Sequence, residues 1–324
     1  MGWTRDVVRV RAPATSANLG PGFDALGLAL SLYDDVDAWV SESGLSIEIS
    51  GESAELAGAG EDHLVVRAMR AAFDVTGGQP PGIGLRCMNR IPHGRGLGSS
   101  AAAIVAGILA ARALADPGPD GAGQLPDGAL LGLAAEMEGH PDNVAACLAG
   151  GLTIAWTADG QPRMVRLEPL ASVKPVICIA PDPVRTEMAR RLLPDLVPHR
   201  DAAANAGRSA LLVAALTQPP AGPPEGADAL LAATQDWLHQ DYRAAAMPET
   251  AELVGRLRKA GIPAVVSGAG PSVLALLDGQ GEPDRHHLDS LGSIVRETGI
   301  AWHISSLDVE RQGACALRPE PPLG

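Results

Sequence analysis

The feature that most constrains the fold of this chain is a glycine-rich loop that leads directly into an alanine-rich helix. The loop and the start of the helix consist of Pro92, His93, Gly94, Arg95, Gly96, Leu97, Gly98, Ser99, Ser100, Ala101 and Ala102. Glycine lets the backbone approach a ligand closely, and the first N–H groups of a helix carry a partial positive charge. The segment therefore predicts a polyphosphate site in which Ser99 or Ser100 caps the helix and presents a hydroxyl to a phosphate or a metal ion.

Two common nucleotide-binding loops are excluded by the spacing. The segment is not a Walker A loop, because no Gly-Lys-Ser/Thr follows four variable residues. It is not a dinucleotide fingerprint, because the third glycine of G-x-G-x-x-G would fall on Ser99. From these residues alone, a simple turn before a helix remains an alternative to a phosphate site.

Two other segments are rich in turn residues. The stretch 13–27 is predicted to be a loop, in which Asn18 and Asp24 either bond their own backbone or face a small zwitterion, with the carboxylate binding an ammonium group. The stretch 266–273 contains Gly268 and Gly270. It is either a tight connection between two strands or a place where the backbone comes close to a phosphate.

The remaining pattern alternates irregularly between strands and helices. Strands are predicted at Val7–Ala12, Val36–Val40, Leu45–Ser50, Gly82–Met88, Gly151–Trp156, Met164–Leu167, Val176–Ala180, Ala264–Ser267, Val273–Leu277 and Ala301–Ser306. Helices are predicted at Asp62–Val75, Ala101–Ala115, Asp127–Glu138 with Asp127 as the cap, Asp201–Leu216 and Pro283–Thr298. Loops are expected at 116–126 and 217–226. This order favours an α+β fold over a doubly wound sheet.

The composition limits the partners of this protein. A net charge of −13 argues against a nucleic-acid or anionic-membrane surface, so an anionic substrate would need local arginines. The four cysteines are widely spaced in apolar segments, which indicates buried thiols. No signal peptide is visible, and the longest apolar run, 101–111, is too short for a membrane span. A cytoplasmic protein is expected.

The three turn-rich segments, in this order, resemble the signature motifs of the GHMP kinases. The runs 16–24, 138–145, 186–190, 192–194 and 238–243 are similar to the homoserine kinases of that superfamily. The resemblance implies an α+β fold with a ribosomal-S5-like, ATP-binding domain at 1–168 and a ferredoxin-like domain at 169–324 that completes the substrate pocket. It also implies phosphorylation of the side-chain hydroxyl of L-homoserine by ATP with Mg²⁺, a step towards threonine, and a homodimer.

The resemblance assigns roles to individual residues. The loop 92–102 would bind the ATP phosphates, and Ser100 and Glu136 would bind Mg²⁺, with Glu138 as the alternative metal partner. At i and i+2 the two glutamates do not share a helix face. The amino-acid pocket would be lined by Asn18, Asp24, His140, Asn143, Thr186, Arg190 and Arg243. Asn143 would orient the acceptor hydroxyl, and no dedicated strong base is expected.

Arg190 and Arg243 suit a substrate carboxylate because guanidinium groups bind carboxylates bidentately. Taken singly, each arginine is also typical of a solvated surface, and His140 of a helix end. The chain departs from the family pattern at Trp237 and Asp241, beside Arg243, and at His93 in the phosphate loop.

Two alternatives stay open. One is a GHMP kinase for another small alcohol, such as mevalonate or shikimate. The other is a non-catalytic, ligand-sensing relative. The combination of Asp24 with two arginines favours an amino acid, and intact Ser99, Ser100 and Glu136 disfavour a sensor.

Overall fold

The computed structural model describes residues 2–4, 6–116, 125–184, 186–218, 225–279 and 285–317. Its strands are β1 Gly2–Trp3, β2 Val8–Ala17, β3 Leu26–Ser41, β4 Gly44–Gly51, β5 Gly82–Asn89, β6 Ala115–Asp116, β7 Leu152–Ala158, β8 Gln161–Leu167, β9 Val173–Ile179, β10 Ala264–Val266, β11 Val273–Asp278, β12 His303–Ser306 and β13 Cys315–Leu317. Its α-helices are α1 Leu64–Thr76, α2 Ser99–Leu114, α3 Asp127–Glu138, α4 Asp142–Ala149, α5 Thr186–Arg190, α6 His199–Thr217, α7 Glu225–Ala233, α8 Gln240–Arg243, α9 Pro248–Lys259 and α10 Arg285–Glu297, with 3₁₀ turns at Ala54–Asp62 and Ala244–Ala246.

The first sheet is built on the long strand β3. It has the order β13-β2-β3-β5-β4, and the hairpin of β7 and β8 pairs with the start of β3. Residues 13–17 belong to β2 and residues 26 and 27 to β3, so the prediction of a loop is wrong at both ends of 13–27. Residues 13–17 are buried and pair with β3 across a bulge after Pro13, which accommodates a residue without an N–H donor. The loop is confined to residues 18–25.

The phosphate-loop helix α2 lies at the centre of this first half. Ten of its sixteen residues are buried, because the helix itself carries Ala, Gly, Ile and Val on nearly all of its sides. Gly107 permits close packing on α1, since a Cβ there would lie 2.5 Å from the Val65 carbonyl oxygen. The loop before α2 is tied to β2 by a hydrogen bond of 3.0 Å from the Thr15 N–H to the Leu97 carbonyl. The start of α2 is therefore fixed at the sheet.

The second half contains a four-stranded antiparallel sheet in the order β10-β11-β9-β12. In chain order these are the second, third, first and fourth strands, which is the ferredoxin-like arrangement. Helices α9 and α10 cover it through a second core that includes Leu253, Leu257 and Leu291. The prediction of an α+β fold with a ribosomal-S5-like first half and a ferredoxin-like second half is confirmed.

The end of the described chain returns to the first sheet. Strand β13 pairs with β2, and Val309 bridges Leu30 of β3. The predicted division at residue 168 falls between β8 and β9 and remains a prediction, with residues 309–317 lying against the first half.

The five predicted helices and the 151–167 hairpin are present with small shifts at their ends. The capping role of Asp127 is wrong: Pro126 precedes the helix, and the Asp127 carboxylate instead accepts a hydrogen bond from Arg112. The predicted loops 116–126 and 217–226 fall mostly outside the described residues, although α7 already begins at Glu225. Cys87, Cys147 and Cys178 are buried free thiols. In the described ranges no helix combines the length and apolar character of a bilayer span.

Candidate active site

A cavity of about 460 Å³ lies where the phosphate loop meets the second half of the chain. Its lining comprises Asn18, Asp24, Gly94, Gly96, Leu97, Gly98, Ser99, Ser100, Glu138, Gly139, His140, Asn143, Glu187, Arg190, Arg243, Gly268 and Ala269. Most of the residues predicted for the site are thus brought together, although they come from segments far apart in the sequence. A smaller slot of about 220 Å³ adjoins it and shares Ser99 and Ser100.

The predicted phosphate-loop residues divide between these spaces. His93 and Ala102 line the smaller slot, whereas Pro92, Arg95 and Ala101 line neither. Gly98, not a serine, is the cap residue, and Ser99 and Ser100 are the first two helix residues, so the predicted serine cap is wrong. The first intrahelical bond runs from the Ala102 N–H to the Gly98 carbonyl. The N–H groups of the first turn therefore remain available to an anion.

The glycines of the loop are required by contacts within the protein. Gly94, Gly96 and Gly98 have φ of +66°, +73° and +67°. A Cβ on Gly96 would lie 2.1 Å from the Ser267 carbonyl oxygen, and one on Gly98 would lie 1.9 Å from the Thr15 hydroxyl. The Ser267 hydroxyl donates to the Gly96 carbonyl at 2.7 Å. The segment 266–273 therefore connects β10 to β11 and also supports the phosphate loop.

The acidic neighbour of Ser100 is Glu138. The Ser100 hydroxyl donates to the Glu138 carboxylate at 2.6 Å. Glu136 is exposed and does not line the cavity, because two residues along a helix point to nearly opposite sides. The geometry favours Glu138 over Glu136 as the acidic partner of Ser100, and the binding of Mg²⁺ by either glutamate stays a prediction. Burial raises the pKa of Glu138, and the hydrogen bond from Ser100 opposes that shift.

The side chains of Ser100 and Glu138 have the chemistry of magnesium ligands. A hydroxyl and a carboxylate are hard oxygen donors, and Mg²⁺ in phosphoryl-transfer sites takes few protein ligands besides phosphates and water. The described residues contain no group of three or more His, Cys, Asp or Glu side chains that would hold a metal alone. A bound nucleotide would have to complete the coordination.

Asn143 is held by residues that the sequence reasoning missed. Its amide oxygen accepts a hydrogen bond of 2.8 Å from the Thr15 hydroxyl. The fully buried Asp142 carboxylate accepts from the Asn143 N–H at 2.8 Å and from His140 Nδ1 at 2.7 Å. The hydrogen bond to Asp142 raises the pKa of His140, which favours the imidazolium form. In the sequence, the signal for Asp142 was its position directly before Asn143 in the run 138–145.

The turn 18–25 serves the local fold and the cavity together. Asn18 and Asp24 have positive φ, and the Asn18 side-chain oxygen accepts a hydrogen bond of 2.8 Å from the Asp24 N–H. The Asp24 carboxylate then forms an ion pair with Arg190. The predicted turn chemistry is confirmed, and both side chains line the cavity; the binding of an ammonium group by Asp24 stays a prediction.

The two arginines differ in environment. Arg190 on α5 is 42% exposed, whereas Arg243 on α8 is 1% exposed, and both line the cavity. Trp237 and Asp241 line a separate cavity of about 250 Å³ that does not include Arg243. Thr186 begins α5, but its side chain lies outside the described residues. Glu187, which was not predicted, lines the main cavity.

The comparison with known families gives matches in both halves of the chain. The sequence profile of the GHMP kinases N terminal domain matches residues 63–151, and that of the GHMP kinases C terminal matches residues 223–300. The first match contains the phosphate loop, Glu138 and Asn143, and the second contains Arg243 and the 266–273 connection.

Individual proteins match over almost the whole length. The chain is 56% identical to the homoserine kinase of Streptomyces coelicolor over 310 residues, covering 96% of this chain and 94% of that protein. It is 53% identical to the homoserine kinase of Clavibacter michiganensis over 309 residues, 95% and 93% of the two chains. The crystal structure of homoserine kinase from Cytophaga hutchinsonii superposes with a TM-score of 0.78 at 26% identity, covering 98% and 99%. The chain belongs to the GHMP kinases and, within them, to the homoserine kinase family.

Proposed function

We propose that this protein transfers the γ-phosphoryl group of ATP to the side-chain hydroxyl of L-homoserine, giving O-phospho-L-homoserine and ADP. The observation that carries the proposal is the pairing of opposite chemistries in one cavity. The phosphate loop forms one part, and Asp24, Arg190 and Arg243 contribute a carboxylate and two guanidinium groups to the other. The 56% identity to a homoserine kinase supports the same substrate.

ATP binding would use the glycine loop and the adjoining slot. The free N–H groups at the start of α2 would bind the phosphates. The slot beside them is lined mainly by apolar side chains, including Val36, Leu56 and Val65, and suits a nucleobase. His63 and His93 also line it, and each has a buried Nδ1 without a hydrogen-bond partner among the described residues. These two nitrogens would then hydrogen-bond to the base.

Mg²⁺ would be held by Ser100 and Glu138 together with the phosphates. When bound, the ion neutralises charge on the phosphate oxygens. The protein contributes the two oxygen ligands and the helix N-terminus. Because the remaining chemistry is positioning, the other side chains act by holding the acceptor in line with the phosphoryl group.

The amino-acid end of the cavity would recognise both charges of homoserine. The Asp24 carboxylate would bind the ammonium group, and Arg190 and Arg243 would bind the carboxylate. In the structure Asp24 and Arg190 are paired with each other. Substrate binding would exchange that internal pair for two pairs with the zwitterion. Mevalonate and shikimate carry a carboxylate but no ammonium group, so neither would compensate Asp24.

The acceptor proton would leave without a strong base. Asn143, fixed by Thr15 and Asp142, would orient the hydroxyl. The hydroxyl oxygen forms the new bond to phosphorus as the bond to ADP breaks, and its proton passes to a phosphate oxygen or to water. His140 is poorly suited to act as a general base, because Asp142 stabilises its protonated form. A cationic His140 would instead favour the developing negative charge.

The experiment is a coupled assay of ADP release with Mg²⁺-ATP and a panel of alcohols. L-Homoserine is expected to react far faster than mevalonate, galactose or shikimate. Equal or faster turnover of any of those three would overturn the assignment of the substrate.

A further inference from the structure

The ring of Phe23 is close to two guanidinium groups and one imidazole at the amino-acid end of the cavity. The Cζ atom of Arg243 lies 5.0 Å from the ring centroid, and that of Arg190 lies 5.7 Å from it. The imidazole of His239 stacks on the same ring, with centroids 5.1 Å apart and an interplanar angle of 26°. Phe23 itself is half-buried in the turn that also carries Asp24.

The charge of Arg243 is almost fully buried, so the groups that contact its guanidinium decide how well it is stabilised. Within the described ranges no carboxylate hydrogen-bonds to its guanidinium, and its Nε has no partner. Burial, with a further contribution from nearby Arg190, lowers the pKa of Arg243. The charges of Asp24, Asp236 and Asp142 oppose that shift. An aromatic face within about 6 Å stabilises a cation, and the effect grows when water is excluded. Phe23 therefore stabilises the Arg243 cation at close range, in addition to these carboxylates, when no ligand is bound.

His239 contacts the Arg243 guanidinium in addition to Phe23. Its Nε2 lies 2.7 Å from the Gly20 carbonyl oxygen, so Nε2 carries the hydrogen. Nδ1 is then an acceptor, and the Arg243 NH1 group lies 3.4 Å from it. Burial lowers the pKa of His239, which keeps the ring neutral. Phe23 and His239 thus join Arg243 to the turn 20–24.

We infer that Phe23 is a positioning residue that holds the two guanidinium groups in the arrangement that receives the substrate carboxylate. The inference rests on the proposed function, in which Arg190 and Arg243 bind that carboxylate. Phe23 lies against the arginines and does not line the cavity, so it acts through them. Asp24, which carries the ammonium site, is its neighbour in the same turn. One rigid turn would therefore set the spacing between the two charges that the enzyme recognises.

The test compares Phe23→Leu with Phe23→Tyr, using L-homoserine and 3-amino-1-propanol, which is homoserine without its carboxylate. Leu keeps an apolar side chain but removes the aromatic face, whereas Tyr keeps that face. Phe23→Leu is expected to lower kcat/KM for L-homoserine about tenfold, in the range of one or two desolvated cation–π contacts. It should leave kcat/KM for 3-amino-1-propanol and KM for ATP unchanged. Phe23→Tyr should stay close to the wild type.

Trp237→Leu is the matched control. It removes an aromatic face 5.8 Å from the Cζ atom of Arg208, outside the main cavity. It should leave the KM for L-homoserine unaltered. Thermal unfolding of each variant checks that it is folded. Equal losses with both acceptors in Phe23→Leu, or the same homoserine loss in Trp237→Leu, would overturn the inference.

Arg243→Leu separates this inference from the proposed function. If Arg243→Leu leaves the KM for L-homoserine at the wild-type value, the proposed carboxylate site is wrong. If Arg243→Leu raises that KM and a folded Phe23→Leu does not, the carboxylate site stands and the role of Phe23 is wrong.

Discussion

At the level of single residues, the hydrogen bond between Ser100 and Glu138 is the contact on which magnesium use should depend. Glu138→Gln removes the negative charge and keeps the shape of the side chain. Loss of a residue that only supports a metal ligand typically lowers metal affinity about 10- to 100-fold. Because Glu138 would bind the ion directly, the Mg²⁺ concentration for half-maximal activity should rise by at least that factor. The measurement is ADP release as a function of Mg²⁺ at saturating ATP and homoserine.

Glu136→Gln is the matched control for this prediction. Glu136 lies two residues away on the same helix, is exposed and does not line the cavity. The Glu136→Gln variant should need the same Mg²⁺ concentration for half-maximal activity as the wild type. A larger effect at Glu136 than at Glu138 would contradict the assignment.

His140 is the residue that tests the absence of a general base. Its pKa is raised by the hydrogen bond to Asp142, so the neutral form needed of a base is less populated than in an ordinary histidine at the same pH. His140→Gln is expected to keep a substantial share of kcat, and the kcat–pH profile should keep both of its limbs. A positioned base contributes about 10²- to 10⁴-fold. A loss of that size, together with disappearance of one limb, would identify His140 as the base.

At the level of secondary-structure elements, the packing of α2 on α1 depends on Gly107. A Cβ there would lie 2.5 Å from the Val65 carbonyl oxygen and 2.7 Å from the Ala68 Cβ. Gly107→Ala should therefore lower the free energy of unfolding by about 1–3 kcal/mol, as overpacking does. Gly132→Ala on α3 has open space around the new methyl group and should raise it by about 0.4–1 kcal/mol. Urea unfolding of the two variants measures both values, and equal stabilities would contradict the close approach.

The phosphate loop gives a second prediction at this scale. Gly96→Ala combines a positive φ with a Cβ that would lie 2.1 Å from the Ser267 carbonyl oxygen. Because a backbone atom cannot move aside easily, the loop should shift and ATP affinity should fall about tenfold or more, the effect of losing about 1.4 kcal/mol of binding energy. Isothermal titration with a non-hydrolysable ATP analogue measures it.

Gly160→Ala is the control for the loop. Gly160 has a similar φ of +71° but no neighbour within 4 Å, so it carries the backbone strain without the collision. Its nucleotide affinity should match that of the wild type. Unchanged ATP affinity in a folded Gly96→Ala variant would mean that the loop does not bind the phosphates.

At the level of the whole molecule, the buried Asn205 on α6 links the turn 18–25 to the segment that precedes α8. Its amide donates to the Pro21 carbonyl at 2.8 Å, and its oxygen accepts from the Trp237 N–H at 3.1 Å. Asn205→Ala leaves both backbone groups without this partner, which should destabilise the protein by about 1–3 kcal/mol. The KM for homoserine should rise while the KM for ATP stays constant, because the turn carries Asn18 and Asp24 and the other segment leads into α8, which carries Arg243.

Ser209→Ala provides a graded comparison. The Ser209 hydroxyl donates to the same Pro21 carbonyl at 2.6 Å but does not reach the second segment. Its effect on the melting temperature and on the KM for homoserine should be smaller than that of Asn205→Ala. The reverse order would show that Asn205 does not couple the two segments.

Local sequence patterns predicted the elements whose signals are continuous along the chain. The glycine loop and α2 follow from neighbouring residues, since small apolar residues favour a buried helix and glycine permits positive φ. Of the elements in the described residues, ten of the thirteen strands and five of the ten α-helices were predicted for the same reason. The resemblance to a known family implied the two architectures. The stretch 13–17 was misjudged because Pro, Thr and Ser are typical of turns, whereas pairing with β3 decides its conformation.

The sequence by itself therefore determined the phosphate loop, the helix behind it, the fold class and the set of polar residues available for the site. Only the tertiary structure decided which of them meet. Asp24 and Arg190 pair across 166 residues, and Thr15 and Asn143 across 128. The choice between Glu136 and Glu138 depends on the rotation of α3, and the burial of Arg243 beside Phe23 depends on how the two halves pack. Such contacts arise from three-dimensional packing, which no local spacing encodes.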